Sequence, residues 1–404
     1  MFDISSIKID IPKDVRDIMN TLRDAGFEAY IVGGCVRDSI LGKVPGDWDI
    51  TTSALPLEVK GLFGNTVDTG IQHGTVMVIR HGCGYEITTY RIDGQYNDSR
   101  HPEKVEFTPS LEEDLKRRDF TINAFAYNPE RGVVDMFDGI SDLNNGLIRC
   151  VGDPFRRFDE DALRIMRAVR FSSQLSFKIE DETEKAISHF ADRLANISRE
   201  RIRVEFEKTL CSPNPSYVNE YARLGLGKYI IRSYTDRCFD KSSEALYPQM
   251  TGDDLKILRM AAFCKNLTPD EAREIIRDLT FDNRTRDLTA AILKFKDEPM
   301  PNDRVQIKKA LGEMGLEVFG LVQEYRKAAG TYDAAAVETA EDILRSGEPY
   351  MVSHLAVSGN DLIDAGVPRG GQVGECLDAL LDAVIRDPGQ NTKETLLRKV
   401  KESL

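Results

Sequence analysis

The stretch Gly33–Thr52 reads GGCVRDSILGKVPGDWDITT, and its reading decides the fold. AYIV before it is a short apolar run that predicts a strand. The two glycines turn the chain, VRDSILG predicts a short helix, and WDITT predicts a second strand. Gly33 and Gly34 let the backbone approach a ligand closely. The helix that follows offers unpaired N–H groups to a phosphate, which Arg37 is also placed to reach. In a strand, side chains two apart point the same way. Asp47 and Asp49 are therefore expected on one side, as two carboxylates able to hold divalent cations that activate a hydroxyl and steady a leaving phosphate. Magnesium prefers such oxygen ligands and brings nucleotide phosphates with it.

Outward from this stretch, Pro12–Gly26 carries helical spacing at Val15, Ile18, Met19 and Leu22. TVMVIR and YEITTYRI predict further strands, with KVEFT as a fifth. Glu86 in YEITTYR is a candidate third carboxylate, and a plain strand residue fits it equally well. Beyond Asp153 strand signals nearly vanish and helical patterns take over, broken at prolines and glycines. The chain of 404 residues is too long for one core. Its 41% hydrophobic and 30% charged composition suits a soluble protein. No apolar run approaches the ~18 residues of a membrane helix, and the N-terminus shows no signal-peptide pattern. The cysteines, Cys35, Cys83, Cys150, Cys211, Cys238, Cys264 and Cys376, are scattered without a CxxC pair. That spacing excludes a disulfide framework and fits a reducing cytoplasm. A net charge of −13 opposes broad nucleic-acid binding. The arginines nevertheless cluster in RRFDEDALRIMRAVRF (Arg156–Phe171) and SRERIRVEFEKTL (Ser198–Leu210), leaving room for a local cationic surface. Arg199, Arg201 and Arg203 are the candidates there for RNA phosphates.

Two more segments carry chemistry. In EEDLKRRDFTINAFAYN (Glu112–Asn128), Arg118 can donate in bidentate fashion to a phosphate, and Asp119 can accept from a ribose hydroxyl. Asn123 serves locally, and Arg117 reads as a surface charge. On a helical wheel, Arg156–Phe171 splits into an apolar arc with Leu163, Ile165, Met166 and Val169 and a charged arc with Arg157, Glu160, Asp161, Arg164 and Arg167. Acid and base at i and i+3 are neighbours on such a helix.

The pattern GG-x-VRD-x-(I/L)LG followed by DWD resembles the DNA-polymerase-β nucleotidyltransferase superfamily. More narrowly it resembles class II tRNA nucleotidyltransferases, the CCA-adding enzymes, with bacterial poly(A) polymerases as close relatives. RRDFTINA is similar to their second motif, and Glu-Asp-x-x-Arg at Glu160–Arg164 to their amino-acid template. The resemblance implies an α+β protein: a polymerase-β-like α/β nucleotidyltransferase head over 1–150, then all-α neck, body and tail over 151–210, 211–300 and 301–404. The neck would carry the template and the tail would bind tRNA. It implies CCA addition or repair at the tRNA 3′ end from CTP and ATP with Mg²⁺, and no membrane. The runner-up is an A-adding enzyme or a bacterial poly(A) polymerase. Asp47, Asp49 and Glu86 would be catalytic, with Asp47 and Asp49 on the metal. Gly33, Gly34, Arg37, Arg118, Asp119, Asn123, Asp161, Arg164, Arg167 and Arg170 would bind nucleotide. The template has a physical logic. Cytosine and adenine both show an amino donor beside a ring-nitrogen acceptor, and uracil and guanine show the reverse. A carboxylate at Asp161 and a guanidinium at Arg164 match the first pair and oppose the second. The polar segment IDGQYNDSRHPEKV, from Ile92 to Val105, stands where the family's loop for switching from C to A addition lies. An ordinary hairpin loop fits it as well. PRGG at Pro368–Gly371 suits either a phosphate contact or a plain turn. No His-Asp pair marks a phosphohydrolase domain. The sequence leaves monomer and homodimer open.

Overall fold

A computed structural model describes residues 2–94, 105–233, 236–301 and 303–403. Contacts divide the chain into two compact units, Met1–Lys241 with Asp278–Thr280, and Ser242–Arg277 with Phe281–Leu404.

The first unit opens with α1 (Lys13–Asp24), whose Val15, Ile18, Met19 and Leu22 are buried. Then come β1 (Ala29–Val32), α2 (Gly34–Ile40), β2 (Ile50–Thr52), α3 (Pro56–Leu62), β3 (Thr66–Gly70), β4 (Thr75–Arg80) and β5 (Cys83–Thr89). After β6 (Arg91–Asp93) and β7 (Val105–Phe107) follow α4 (Leu111–Lys116), β8 (Phe125–Asn128), β9 (Gly132–Asp135), α5 (Gly139–Asn145) and β10 (Leu147–Ile148). The neck region supplies α6 (Pro154–Glu160), α7 (Leu163–Leu175), β11 (Lys178–Ile179), α8 (Asp181–His189) and α9 (Arg199–Leu210), with α10 (Val218–Arg223) and α11 (Gly227–Ile230) beyond it.

The main sheet has seven strands in the order β3-β4-β5-β2-β1-β8-β9. Only β2 and β5 run parallel within it; the register sets Ile50 against Ile87. Continued one residue back, that register brings Asp49 beside Glu86. β1 lies inside the sheet between β2 and β8 and is buried along its whole length, as a strand covered on both faces must be. The strand expected at KVEFT forms, but it pairs with β6 in a separate ribbon. β8 and β9 extend the sheet where the sequence reading saw only a motif. Phe125–Tyr127 is a short apolar and aromatic run, which periodicity does not distinguish from a buried helical turn.

The second unit is helical throughout its described residues: α12 (Leu255–Phe263), α13 (Pro269–Asp278, whose last residue belongs to the first unit), α14 (Asn283–Phe295), α15 (Arg304–Ala329), α16 (Ala334–Ser346), α17 (Gly359–Asp364), α18 (Gly371–Arg386) and α19 (Lys393–Ser403). One cluster joins Ile307, Leu311 and Phe319 to Ala340 and Ile343. A second joins Leu362 to Leu380, Val384, Leu396 and Val400. α15 is kinked at Gly315, whose φ of 72° and ψ of 162° no helix accommodates.

Candidate active site

Asp47 and Asp49 lie just ahead of β2, not inside it, because the strand begins only at Ile50. The backbone is nevertheless tied down, with Val32 N donating to Asp49 O at 3.0 Å. Burial raises the Asp49 carboxyl to about 6, helped by the charges of Asp47 and Glu86 and opposed by Arg118. Asp47 and Glu86 are thus close enough for their charges to act on Asp49. No group of three His, Cys, Asp or Glu among the described residues is arranged to hold a metal ion. A two-carboxylate site fits that finding, because magnesium keeps most of its shell for water and phosphate oxygens.

Gly33 carries φ 80° and ψ −127°, a conformation open to glycine alone. A Cβ built there would sit 3.0 Å from Arg118 Nη1. Arg118 thus packs against the glycine turn, and its charge acts on the Asp49 carboxyl. Its Nη2 lies 3.6 Å from Asp114 Oδ2.

Asp114 is a residue that sequence reasoning passed over. It is fully buried. It takes Arg117 Nε at 3.0 Å and Nη2 at 2.7 Å, Thr51 Oγ1 at 3.1 Å and Arg91 N at 3.4 Å. Burial works against its charge, yet Arg117 and Arg118 hold its carboxyl below the usual carboxylate range. The signal was present: Asp114 stands three and four residues before those arginines on one helix face. Arg117 is therefore a half-buried ion-pair partner of Asp114 and not the plain surface charge expected of it.

Asp119 also differs from expectation. Its Oδ1 accepts from Phe120 N at 2.8 Å and Asn123 Nδ2 at 3.1 Å. Its Oδ2 accepts from Arg167 Nε at 2.7 Å and meets Arg167 Nη2 at 2.6 Å. A carboxylate offers about four lone-pair sites, so no acceptor is left for a ribose hydroxyl. Although burial opposes the charge, Arg167 and Asn123 bring the carboxyl down to about 2. Asn123 also accepts from Arg37 Nη1, and Arg37 pairs with Asp38 at 2.8 Å. Arg37, Arg167 and Arg170 surround the Phe171 ring at 5.2, 5.2 and 4.2 Å. Sequence reasoning did not single out Phe171, and nothing in its helical position marks it. Arg170 pairs with the buried Glu205 at 3.1 Å.

The single helix expected over Arg156–Phe171 is broken. α6 ends at Glu160, and Asp161 is extended at φ −143° and ψ 104°. Asp161 Oδ1 accepts from Leu163 N at 3.0 Å, the capping habit that draws Asp out of helix interiors. Asp161 and Arg164 thus do not share one helix face. Asp161 occupies the break and Arg164 the first turn of α7. Arg164 donates to Glu160 Oε2 at 2.7 Å, Arg157 O at 2.9 Å and Arg117 O at 3.1 Å. The RNA footprint expected on α9 is also altered. Arg199 binds Asp278 at 2.6 Å and Arg201 binds Asp161 at 2.9 Å, while Arg203 meets Glu207 at 3.5 Å. The segment 95–104, which holds most of the expected switching loop, lies outside the described residues.

The glycine turn, the carboxylates ahead of β2 and the arginines gathered around Phe171 are features of a nucleotidyltransferase head. The Poly A polymerase head domain family matches residues 29–149, a family described as an RNA and SrmB-binding site of polymerase A matches 176–238, and tRNA nucleotidyltransferase domain 2 matches 254–400. The CCA-adding enzyme of Pediococcus pentosaceus is 40% identical over 398 residues, covering 96% of this chain and 97% of that one. That of Leuconostoc mesenteroides is 59% identical over 209 residues, 52% of each chain. The CCA-adding enzyme of Bacillus stearothermophilus, solved in complex with CTP, superposes with a TM-score of 0.82 at 34% identity and covers 97% of this chain and 98% of that one. The chain belongs to the family of CCA-adding enzymes.

Two outcomes follow from the geometry. Asp114→Ala removes a fully buried carboxylate from two half-buried arginines and should cost about 3–5 kcal/mol; thermal unfolding checks this, and an unchanged Tm would contradict the hub. Asp49 is the reverse case. Its folded pKa is raised, so its ionisation removes stability as pH climbs from about 4 through 6. Without divalent cations, Asp49→Asn should therefore unfold at a higher temperature than the parent at pH 8 and at the same temperature near pH 4. A difference that is independent of pH would exclude the ionisation of the buried Asp49 carboxyl as its source.

Proposed function

We propose that this protein builds or repairs the 3′-terminal CCA of tRNA, adding C from CTP and A from ATP without a nucleic-acid template. The placing of Asp47 and Asp49 just ahead of β2, with the β2–β5 register bringing Glu86 beside Asp49, is the observation that carries the reading; burial raises the Asp49 carboxyl, and the charges of Asp47 and Glu86 add to it. The activity accords with full-length likeness to a protein named for CCA addition.

Membership of this family implies a divalent metal, and Mg²⁺ is the ion proposed. Asp47 and Asp49 would hold it, and when bound it supplies Lewis acidity at the phosphates and lowers the pKa of the attacking 3′-hydroxyl. Glu86 adds negative charge beside the pair and favours cation entry. Gly33 and Gly34 leave room for the triphosphate at the head of α2, and Arg118 lies between that turn and Asp49 to take phosphate charge. Arg37, Arg167 and Arg170 still have unused N–H donors after their ion pairs, because a guanidinium carries five. Asp119 and Asn123 act through Arg167 and Arg37, holding their guanidiniums in place.

Base choice is assigned to Asp161 and Arg164. Asp161 accepts from the amino group of C or A, and Arg164 donates to the adjacent ring nitrogen. Glu160 and the carbonyls of Arg157 and Arg117 fix the direction in which Arg164 points. Uracil or guanine would set carbonyl against carboxylate and N–H against guanidinium, at ~1–3 kcal/mol for each unmade buried bond. The head over 1–150 would do the chemistry, the neck over 151–210 would select the base, and the body over 211–300 and tail over 301–404 would carry the tRNA. No helix among the described residues is long and apolar enough to cross a membrane.

The test is single-nucleotide incorporation on tRNA lacking CCA, with each labelled triphosphate supplied separately. The parent should use CTP first and ATP only after two cytidines. Incorporation of A alone, and only on tRNA ending in CC, would replace this reading with an A-adding enzyme. Asp47→Ala and Asp49→Ala should each abolish transfer while tRNA still binds; retained transfer would remove them from the metal site. Arg164→Ala should weaken CTP and ATP use together and admit UTP or GTP. Wild-type selectivity in that variant would make the Asp161–Arg164 segment an ordinary polar surface.

A further inference from the structure

We propose that the second unit holds a binding site for a small organic oxyanion, a carboxylate or a phosphate monoester on an apolar body. The site is the cavity lined by the ends of α12, α14 and α15 and by the residues leading into α16. It measures about 550 Å³, within the range of roughly 300–1,000 Å³ over which small-molecule pockets fall. Every residue on its wall belongs to the second unit, and none of them takes part in the chemistry assigned to the head and neck.

Arg326 lines this cavity and is 3% exposed. Its Nη2 donates to Phe295 O at 2.8 Å and to Glu298 O, and its Nε donates to Lys296 O at 3.2 Å. These carbonyls stand at the C-terminal end of α14, where a cation is favoured. All three acceptors are neutral, and Nη1 has no acceptor among the described residues. Buried charges are normally paired. Arg37, Arg164, Arg167 and Arg170 in the first unit each meet a carboxylate. Arg326 is held as firmly as they are, with no acid bonded to it.

Two further donors share the wall. Tyr325 is 4% exposed, and its hydroxyl has no hydrogen-bond partner among the described residues. Burial, then the charges of Asp297 and Cys264, push that hydroxyl up, so it stays protonated and able to donate. Lys265 makes no ion pair among the described residues. Most of the nearby acid is already engaged. Asp297 pairs with Lys296, and Asp333 Oδ1 caps α16 by accepting from Ala336 N at 3.1 Å. Only Glu298 is left, and it is exposed. Arg326 Nη1, the Tyr325 hydroxyl and the Lys265 ammonium together match one oxyanion. With Nε and Nη2 occupied, the guanidinium cannot fork onto two oxygens, so a carboxylate and a phosphate suit it alike. Leu246, Pro299 and Met300 supply an apolar wall, which favours an anion with an apolar body over a bare ion.

Isothermal titration of the full chain compares phenyl phosphate and benzoate with inorganic phosphate, which lacks the body, and with phenol, which lacks the charge. The variants are Tyr325→Phe and Lys265→Ala; Arg326 is left intact because it also clamps α14. Thermal unfolding follows the fold of both. Phenyl phosphate, benzoate or both should bind saturably, and the tighter of the two identifies the oxyanion. Inorganic phosphate should bind roughly tenfold or more weakly, for want of apolar burial, and phenol should not bind. Tyr325→Phe should weaken binding by roughly tenfold or more, the scale of a hydrogen bond to a charged group, and Lys265→Ala should weaken it as well. If Tyr325→Phe does not fold, Lys265→Ala is read for the same loss. Failure of both phenyl phosphate and benzoate to bind would overturn the proposal, as would parental affinity in the folded variants. Phenol or inorganic phosphate binding as tightly as phenyl phosphate would also overturn it. Variants that lose affinity for tRNA but keep that for phenyl phosphate would make the cavity an RNA contact and overturn it too.

Discussion

The four-donor carboxylate of Asp119 is the constraint from which the rest of the site follows. It closes the second motif of the head on itself through Phe120 N and Asn123, and it reaches α7 through Arg167. Two backbone hydrogen bonds run beside it, from Val151 N to Asp119 O and from Thr121 N to Arg149 O. Phe120 meets Phe171 edge-on at 5.8 Å. The sheet and α7 therefore belong to a single packed body, and the spacing between the proposed phosphate and base subsites is set by side chains at its seam. A buried carboxylate left with a single partner would be expensive; with four donors its charge is retained, and Arg167 cannot rotate away.

Asp114 has the corresponding role about a helical turn earlier in the chain. Through Thr51 it touches β2, two residues beyond Asp49. Through Arg91 N it touches the start of the ribbon that leads into the expected switching loop. Through Arg117 it steadies a backbone carbonyl that accepts from Arg164. This buried acid thus lies between β2, the ribbon and Arg164, to which base choice is assigned as a proposal. Such a group can transmit a shift at any of them only by rearranging hydrogen bonds, since it has no solvent to exchange with.

The features legible in the sequence are those in which local pattern and chemistry coincide. Strand, glycine turn and helix at Ala29–Ile40 follow from composition and from the φ that Gly33 alone can adopt. The family resemblance placed the head before its helical followers, and full-length relatives bear that out. What escaped the reading is tertiary. The break at Asp161 is invisible on a helical wheel, because periodicity continues on both sides of it and only the capping bond to Leu163 N reveals the interruption. Asp119 was read as facing the nucleotide because its type and motif allow it; the saturation of its lone pairs depends on Arg167, far away in sequence. Arg201 was misplaced for the same reason. An arginine run looks like a phosphate footprint until its individual partners are known.

The net charge of −13 can now be set against the site. Nearly every arginine proposed to meet nucleotide is already paired with an acid: Arg37 with Asp38, Arg118 with Asp114, Arg164 with Glu160, Arg167 with Asp119 and Arg170 with Glu205. Such a site is not a reservoir of positive charge waiting for any polyanion. Its guanidiniums have fixed orientations, and what they offer is a set of directed N–H bonds, with the attraction for bulk phosphate largely cancelled. A triphosphate would gain strength there through the cation that accompanies it at Asp47 and Asp49, more than through the arginines. Selectivity for a nucleotide of the right base then follows from orientation. The same pairing that weakens non-specific anion binding holds the base-reading groups still.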